Sequence, residues 1–221
     1  MRHPKVKMSN KKLQAAKECL IVFTRYPEPG KTKTRMIPLL GSEGAAMLQR
    51  QMTEHTLAQV KQLQSQHPIS VEVYFAGGNP QLMQSWLGSG IVYRSQGEGD
   101  LGCRMVSALQ SAFNNGSSGV VIIGTDCPGV NVLVMEQAFE ALSNYDLVLG
   151  PAQDGGYYLI GVRRLIPELF TGISWGTSEV LQQTVEIAKQ IDLAIAYLPT
   201  LADVDRPEDL PVWKQANVNL S

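Results

Sequence analysis

The side chains in this chain that could act on a polar substrate are carboxylates and cations, and they gather where short apolar runs end. Cys19-Leu20-Ile21-Val22-Phe23 leads into Arg25-Tyr26-Pro27-Glu28-Pro29-Gly30-Lys31-Thr32-Lys33-Thr34-Arg35. Later runs lead into Gln96-Gly97-Glu98-Gly99-Asp100-Leu101-Gly102-Cys103-Arg104, Thr125-Asp126-Cys127-Pro128-Gly129, Gln153-Asp154-Gly155-Gly156 and Asp203-Val204-Asp205-Arg206-Pro207. Such groups suit a phosphate-bearing substrate held by a hard metal ion and by Lys or Arg. Transfer at phosphorus, or departure of a nucleoside diphosphate, needs charge neutralisation more than a protein nucleophile. Other chemistries lack their players. His3, His55 and His67 lie away from these loops, no Gly-x-Ser-x-Gly turn is present, and Cys19, Cys103 and Cys127 have no zinc spacing.

Two phosphate motifs are imitated but not met. Gly30-Lys31-Thr32 resembles the end of a P-loop, yet the position that needs the first glycine is Arg25. Pro27 and Pro29 remove two N–H donors from that loop, and Pro38 is read as interrupting the helix that should follow. Gly97-x-Gly99-x-x-Gly102 has the form of a dinucleotide fingerprint, but Glu98 and Asp100 set carboxylates where a pyrophosphate would approach.

Short β-rich runs alternating with helical ones predict βαβ units and a mostly parallel sheet. Strands are expected over 19–24, 70–76, 90–94, 119–124, 146–150, 157–162 and 194–199, and helices near 42–66, 79–87, 101–114, 131–143, 176–190 and 207–216. The gap between 146–150 and 157–162 is too short for a crossover helix, so that pair should break the parallel pattern. Ligands of open α/β sheets sit outside the carboxyl ends of the strands, where all five polar loops fall.

Composition frames these elements. With 44% hydrophobic and 18% charged residues, the 221-residue chain can bury an ordinary core. A net charge of −1 provides no field to recruit nucleic acid or an anionic membrane, and no apolar run approaches a membrane span. Residues 1–17 read as a flexible basic arm and 18–221 as one domain. Three unpaired cysteines and the lack of a signal-like h-region predict a cytoplasmic protein.

Taken together, Phe23-Thr24-Arg25-Tyr26-Pro27-x-Pro29-Gly30-x-x-Lys33-Thr34-Arg35, Gly97-x-Gly99-Asp100-Leu101-Gly102-x-Arg104-Met105, Gly124-x-Asp126-x-Pro128-Gly129, Asp154-Gly155-Gly156-Tyr157-Tyr158-Leu159-Ile160-Gly161 and Asp203-Val204-Asp205-x-Pro207-Glu208-Asp209-Leu210 resemble the successive blocks of a bacterial family. It is the glycosyltransferase-like family sometimes named for arsenosugar biosynthesis, within the nucleotide-diphospho-sugar transferase superfamily. The resemblance implies a three-layer α/β/α, Rossmann-like GT-A fold with a mostly parallel mixed sheet. It implies a nucleotide or nucleotide-sugar site built from Arg25, Gly30, Lys33, Arg35, Gly97, Gly99 and Asp100. Asp126 and Asp205 would hold Mg2+ or Mn2+, with Asp126 and Asp154 as the catalytic carboxylates facing a small-molecule acceptor. Glycosyl transfer is the expected reaction, with guanylyl- or cytidylyl-type nucleotidyl transfer to a phosphorylated or acidic metabolite as the alternative. Four aspartates also fit structural roles: Asp100 and Asp205 as helix N-caps, Asp126 as an N-cap or turn carboxylate before Pro128-Gly129, and Asp154 in a tight turn. Tyr157 and Trp175 could stack on a base or sugar, but aromatic residues near strand ends more often serve core or rim packing, and they are read as such.

Overall fold

The structure, a computed structural model, describes residues 17–218. The predicted basic arm lies outside the described residues except for Lys17, which opens the first strand. Seven strands, β1 (Lys17–Arg25), β2 (Ser70–Ala76), β3 (Val92–Ser95), β4 (Ser117–Ile123), β5 (Leu147–Pro151), β6 (Tyr157–Val162) and β7 (Ile195–Tyr197), form one sheet in the order β3-β2-β1-β4-β6-β5-β7. All neighbouring pairs are parallel except β4–β6 and β5–β6. The reversed strand is β6, as the short link from β5 requires.

Burial of the sheet on both faces explains the continuous apolar runs. In β1, Leu20 and Val22 join one core, while Cys19, Ile21 and Phe23 join the other. The first core takes side chains from α1 (Ile37–Gln66), α2 (Pro80–Leu87) and α4 (Val132–Ala141). The second takes them from α3 (Leu101–Asn114), α5 (Val180–Gln190) and a 3-10 turn at Pro167–Phe170 that sequence periodicity does not foreshadow. A smaller third cluster packs the start of α1 against Val204 and Trp213 of α6 (Leu210–Val218).

Pro38 does not interrupt the helix after the first loop. It occupies the first turn of α1, where its missing N–H is tolerated. The break falls at Gly41, with φ 71° and ψ 170°, so the regular helix resumes at residue 42. The helix expected from 176 begins at 180 instead, after turns through Gly176 at φ 82°. No described helix is long and apolar enough to cross a membrane.

From β1 the chain moves to β2 and β3 on one side, then returns to β4 on the other. The sheet order therefore reverses between β1 and β4, and a crevice opens at their carboxyl ends.

Candidate active site

Lys33 organises the crevice from behind. It adopts a left-handed conformation, φ 47° and ψ 44°, which costs a residue with a side chain roughly 1–2 kcal/mol. Its side chain is only 3% exposed, and Nζ donates to Asp126 Oδ1 at 2.5 Å and to the Val204 carbonyl at 2.6 Å. Val204 N in turn donates to the Asp126 carbonyl at 2.8 Å. The loop after β4 and the late acidic loop are thereby stitched side by side, although almost eighty residues separate them in sequence.

Arg35, two residues further on, pairs with Asp205. The Asp205 carboxylate is not used as a helix cap. That task falls to Asp209, whose Oδ2 accepts from Asp205 N at 3.0 Å and Arg206 N at 2.7 Å. Asp203, in the same acidic loop, is half-buried, and burial pushes its carboxyl above the usual range, with Asp154 adding to the shift. Burial also pushes the Cys127 thiol well up, reinforced by Asp126, Asp203 and Asp154. It therefore stays neutral, unsuited to nucleophilic or metal-binding work.

Arg35, Asp126, Cys127, Asp203 and Asp205 face a cleft of about 570 Å³. Of the residues singled out by sequence, Arg25, Arg35, Asp126, Asp154 and Asp205 line it. Lys33 lies behind Asp126 and spends two of its donors on the protein. Gly30, Gly97, Gly99 and Asp100 are not among the lining residues. Gly30, Gly97 and Gly99 have φ of 79°, 79° and 89°, so they turn the loops that border the cleft. Asp100 caps α3, its Oδ1 accepting from Cys103 N at 2.8 Å, and that backbone bond lowers its carboxyl. Asp154 Oδ1 accepts from Gly156 N at 2.8 Å, so it closes the β5–β6 turn and faces the cleft at once. Gly155 cannot bear a side chain there, because a Cβ would come within 2.2 Å of the Ser178 carbonyl.

Several lining residues escape sequence reasoning. Gln96 fastens β1 to β2 through Nε2, which donates to the carbonyls of Thr24 and Tyr74, both at 3.1 Å. Arg104 Nε donates to Gly99 O at 3.0 Å and lines the cleft from the first turn of α3. Tyr157 and Trp175, read from sequence as packing residues, pack edge-to-face at 6.4 Å and also form one wall. Gly102 is the signal that could have placed Trp175, since a Cβ there would meet the indole at 2.9 Å.

A divalent ion can be tested against this arrangement. Among the described residues no three His, Cys, Asp or Glu side chains gather into a cage. Asp126 and Asp205 each engage a cation through one oxygen, Oδ1 and Oδ2 respectively, and keep the other. Magnesium in phosphate-transfer sites uses one or two carboxylates together with substrate phosphates and water. The oxygen-only pair therefore fits an ion that arrives with a nucleotide and does not fit a resident structural ion.

A mostly parallel seven-stranded sheet with one reversed strand, opening at its switch point onto paired aspartates and arginines, defines the nucleotide-diphospho-sugar transferase fold. The chain belongs to the family described as "Uncharacterized protein conserved in bacteria (DUF2064)", which it matches over residues 57–177. It is 36% identical to a candidate nucleotide-diphospho-sugar transferase from Desulfovibrio desulfuricans G20, with a TM-score of 0.83 over 93% of this chain and 90% of that one. Two more distant structures share the fold. The 4-diphosphocytidyl-2C-methyl-D-erythritol synthase of Anaerococcus prevotii is 11% identical, with a TM-score of 0.58 over 93% of this chain and 96% of that one. The glucosyl-3-phosphoglycerate synthase of Mycobacterium tuberculosis, solved with Mn2+, UDP and phosphoglyceric acid, is 13% identical, with a TM-score of 0.55 over 93% and 78%. No curated protein matches the chain. Fold and family together place it in the transferase class.

Proposed function

We propose that the protein is a metal-dependent glycosyltransferase that moves a sugar from a nucleotide-sugar to a small acceptor. The observation that carries this reading is the joining of Asp126 to the Asp203–Asp205 loop at the switch point, through Lys33 and the Val204–Asp126 backbone bond. Arg25 and Arg35 bind the diphosphate, with Asp126 and Asp205 set to share an ion with it. Magnesium or manganese, when bound, neutralises the charge that builds on the departing diphosphate. Asp154 lies on the β5–β6 side of the cleft, where an acceptor enters. The bond between the sugar C1 and the diphosphate oxygen breaks with its electron pair leaving on that oxygen. A bond forms from the acceptor oxygen to C1, and the acceptor proton passes to Asp154. The manganese and UDP in the M. tuberculosis structure on this fold support the metal and nucleotide parts of the reading.

Thermal shift with UDP-, GDP-, CDP- and ADP-sugars, with and without Mg2+ or Mn2+, tests it directly. Stabilisation by a nucleotide-sugar that depends on the ion, with turnover nearly abolished in a folded Asp126→Asn variant, is the expected result. Stabilisation by nucleoside triphosphates alone would favour nucleotidyl transfer, and undiminished turnover in Asp126→Asn would sink both readings.

A further inference from the structure

Gln96 opens the loop from β3 to α3, is only 9% exposed, and lines the cleft. Its backbone N donates to the Phe75 carbonyl at 3.0 Å, which fixes the root of the side chain beside β2. The carboxamide then reaches across two strand ends. Nε2 donates to the carbonyl of Thr24 in β1 and to that of Tyr74 in β2, both at 3.1 Å. An NH2 group has two hydrogens, and two partners that can only accept use both. The orientation of the amide is therefore set, because turning it over would press Oε1 against two carbonyl oxygens. Oε1 is the end left over. Among the described residues it accepts from none, and it is not one of the buried side-chain atoms without a partner, which are His55 Nδ1, Tyr74 OH, Tyr157 OH and Trp175 Nε1. The small exposure that Gln96 keeps thus reaches Oε1, and the cleft is what it opens on.

A clamped acceptor is selective. It repels phosphate oxygens, which only accept and which Arg25 and Arg35 are placed to take, and it cannot turn to offer its NH2 instead. It suits an N–H or O–H of the ligand. The sheet order says which part of the ligand comes near it. Along the carboxyl edge stand Gln96 over the ends of β2 and β1, Arg25 after β1, Asp126 after β4, and Asp154 between β5 and β6. In a nucleotide-sugar the diphosphate lies between nucleoside and sugar. With the diphosphate at Arg25 and Asp126 and the acceptor at Asp154, the sugar points towards β6 and the nucleoside towards β2, where Oε1 waits. The base is the part of a nucleoside whose edge carries N–H donors in a pattern that differs from one base to the next.

We propose that Gln96 reads the nucleobase of the bound donor, its clamped Oε1 accepting from a base N–H and so rejecting any base that turns an acceptor to that point. The Thr24 and Tyr74 carbonyls keep the amide from adapting to the wrong base. The proposal rests on the nucleotide-sugar reading above, which leaves the base open.

The test is calorimetric titration of the native protein with UDP, GDP, CDP and ADP and the corresponding glucose conjugates in Mg2+. Analogues of the tightest binder follow, each lacking one base N–H through N-methylation of the ring or replacement of an amino group by hydrogen, together with its 2′-deoxy and 3′-deoxyribose forms. One base analogue should bind the native protein about tenfold weaker, the scale of one hydrogen bond between neutral groups. Gln96→Met, which removes the acceptor, should weaken the parent nucleotide by a similar factor and lose little more with that analogue. Gln96→Asn withdraws Oε1 by one methylene and should show the same coupling should the Met variant fold poorly. Gln96→Glu separates recognition from support, because it gives up the clamp on the two carbonyls but keeps an acceptor oxygen. It should melt below the native protein yet hold the native ratio of affinities between parent and analogue. Native affinity in both Gln96→Met and Gln96→Asn, or full additivity with every base analogue, overturns the proposal while leaving the nucleotide-sugar reading intact. So does coupling to a deoxyribose analogue in place of a base analogue, and so does loss of discrimination in Gln96→Glu, since Gln96 would then act only through support of the strands. Failure of the native protein to bind any of these ligands overturns both.

Discussion

The two ion pairs that tie the first loop to the acidic loops are made of like parts, but their surroundings differ. Lys33 is buried, and its ammonium bonds both Asp126 and a backbone carbonyl. The Arg35 side chain is 61% exposed, and among the described residues Asp205 is its one acidic partner. Lys33 therefore acts as a fixed internal cation that lets two acidic loops approach each other. An exposed pair of the second kind contributes about 0–1 kcal/mol, so Arg35 can leave Asp205 for a phosphate at little cost. One cation builds the site, and the other is available to the substrate.

Removing the inner cation should have the largest effect. Lys33→Met leaves the Val204 carbonyl without its donor and the two acidic loops without compensation, but it keeps the left-handed backbone. It should lose roughly 1–3 kcal/mol of stability by chemical denaturation, together with most nucleotide binding. Lys33→Gly also removes the ammonium but relieves the backbone cost, so it should be the more stable of the two. Equal stability in the two variants would mean that the left-handed turn carries no strain.

Arg35→Ala should reverse the balance. Its melting temperature should stay close to native, within the approximately 0.5 kcal/mol typical of surface substitutions. Affinity for a nucleoside diphosphate should fall about tenfold, and the native affinity should weaken with added salt more than that of the variant. A large loss of stability with unchanged affinity would show that Arg35, like Lys33, is structural.

This difference could not be read from the sequence, although much around it could. Apolar runs and their spacing located every strand, because burial on both faces leaves a strand such as Leu20-Ile21-Val22 little choice of residue type, and the short link marked the β5–β6 pair as the break in the parallel pattern without telling which of the two is reversed. The loops at the carboxyl edge were legible for the same reason. What periodicity does not encode is the direction of a side chain within a loop. Lys33 and Arg35 look equivalent as two cations in one basic turn, and only the left-handed φ at Lys33 separates inward from outward. Asp100 and Asp205 each fitted a cap, and it was Asp209, four residues beyond Asp205, that freed one of them.

The smallest expected effect comes from Asp203, which shares the cleft with both pairs and has no ion-pair partner among the described residues. Burial, then the negative charge of Asp154, holds its carboxyl above the ordinary range. An acid whose folded pKa exceeds its unfolded one is most favourable to folding when protonated. Its contribution is therefore complete below the unfolded value, near 4, and is lost as pH rises through the raised folded value. At neutral pH the ionised Asp203 opposes folding. Asp203→Asn should accordingly raise the melting temperature slightly at pH 7, and the advantage should shrink as pH falls through the raised folded value and be gone below about 4, where Asp203 is neutral in both the folded and the unfolded chain. Melting curves of the two proteins between pH 3 and 8 measure this directly. A gain that persists unchanged in acid would come from packing or hydrogen bonding of the introduced carboxamide and would remove the electrostatic account. A gain confined to neutral pH would show that the acidic loop retains a carboxylate that the neighbouring ion pairs do not neutralise. A charge left unneutralised in that position would favour a cation arriving with the substrate.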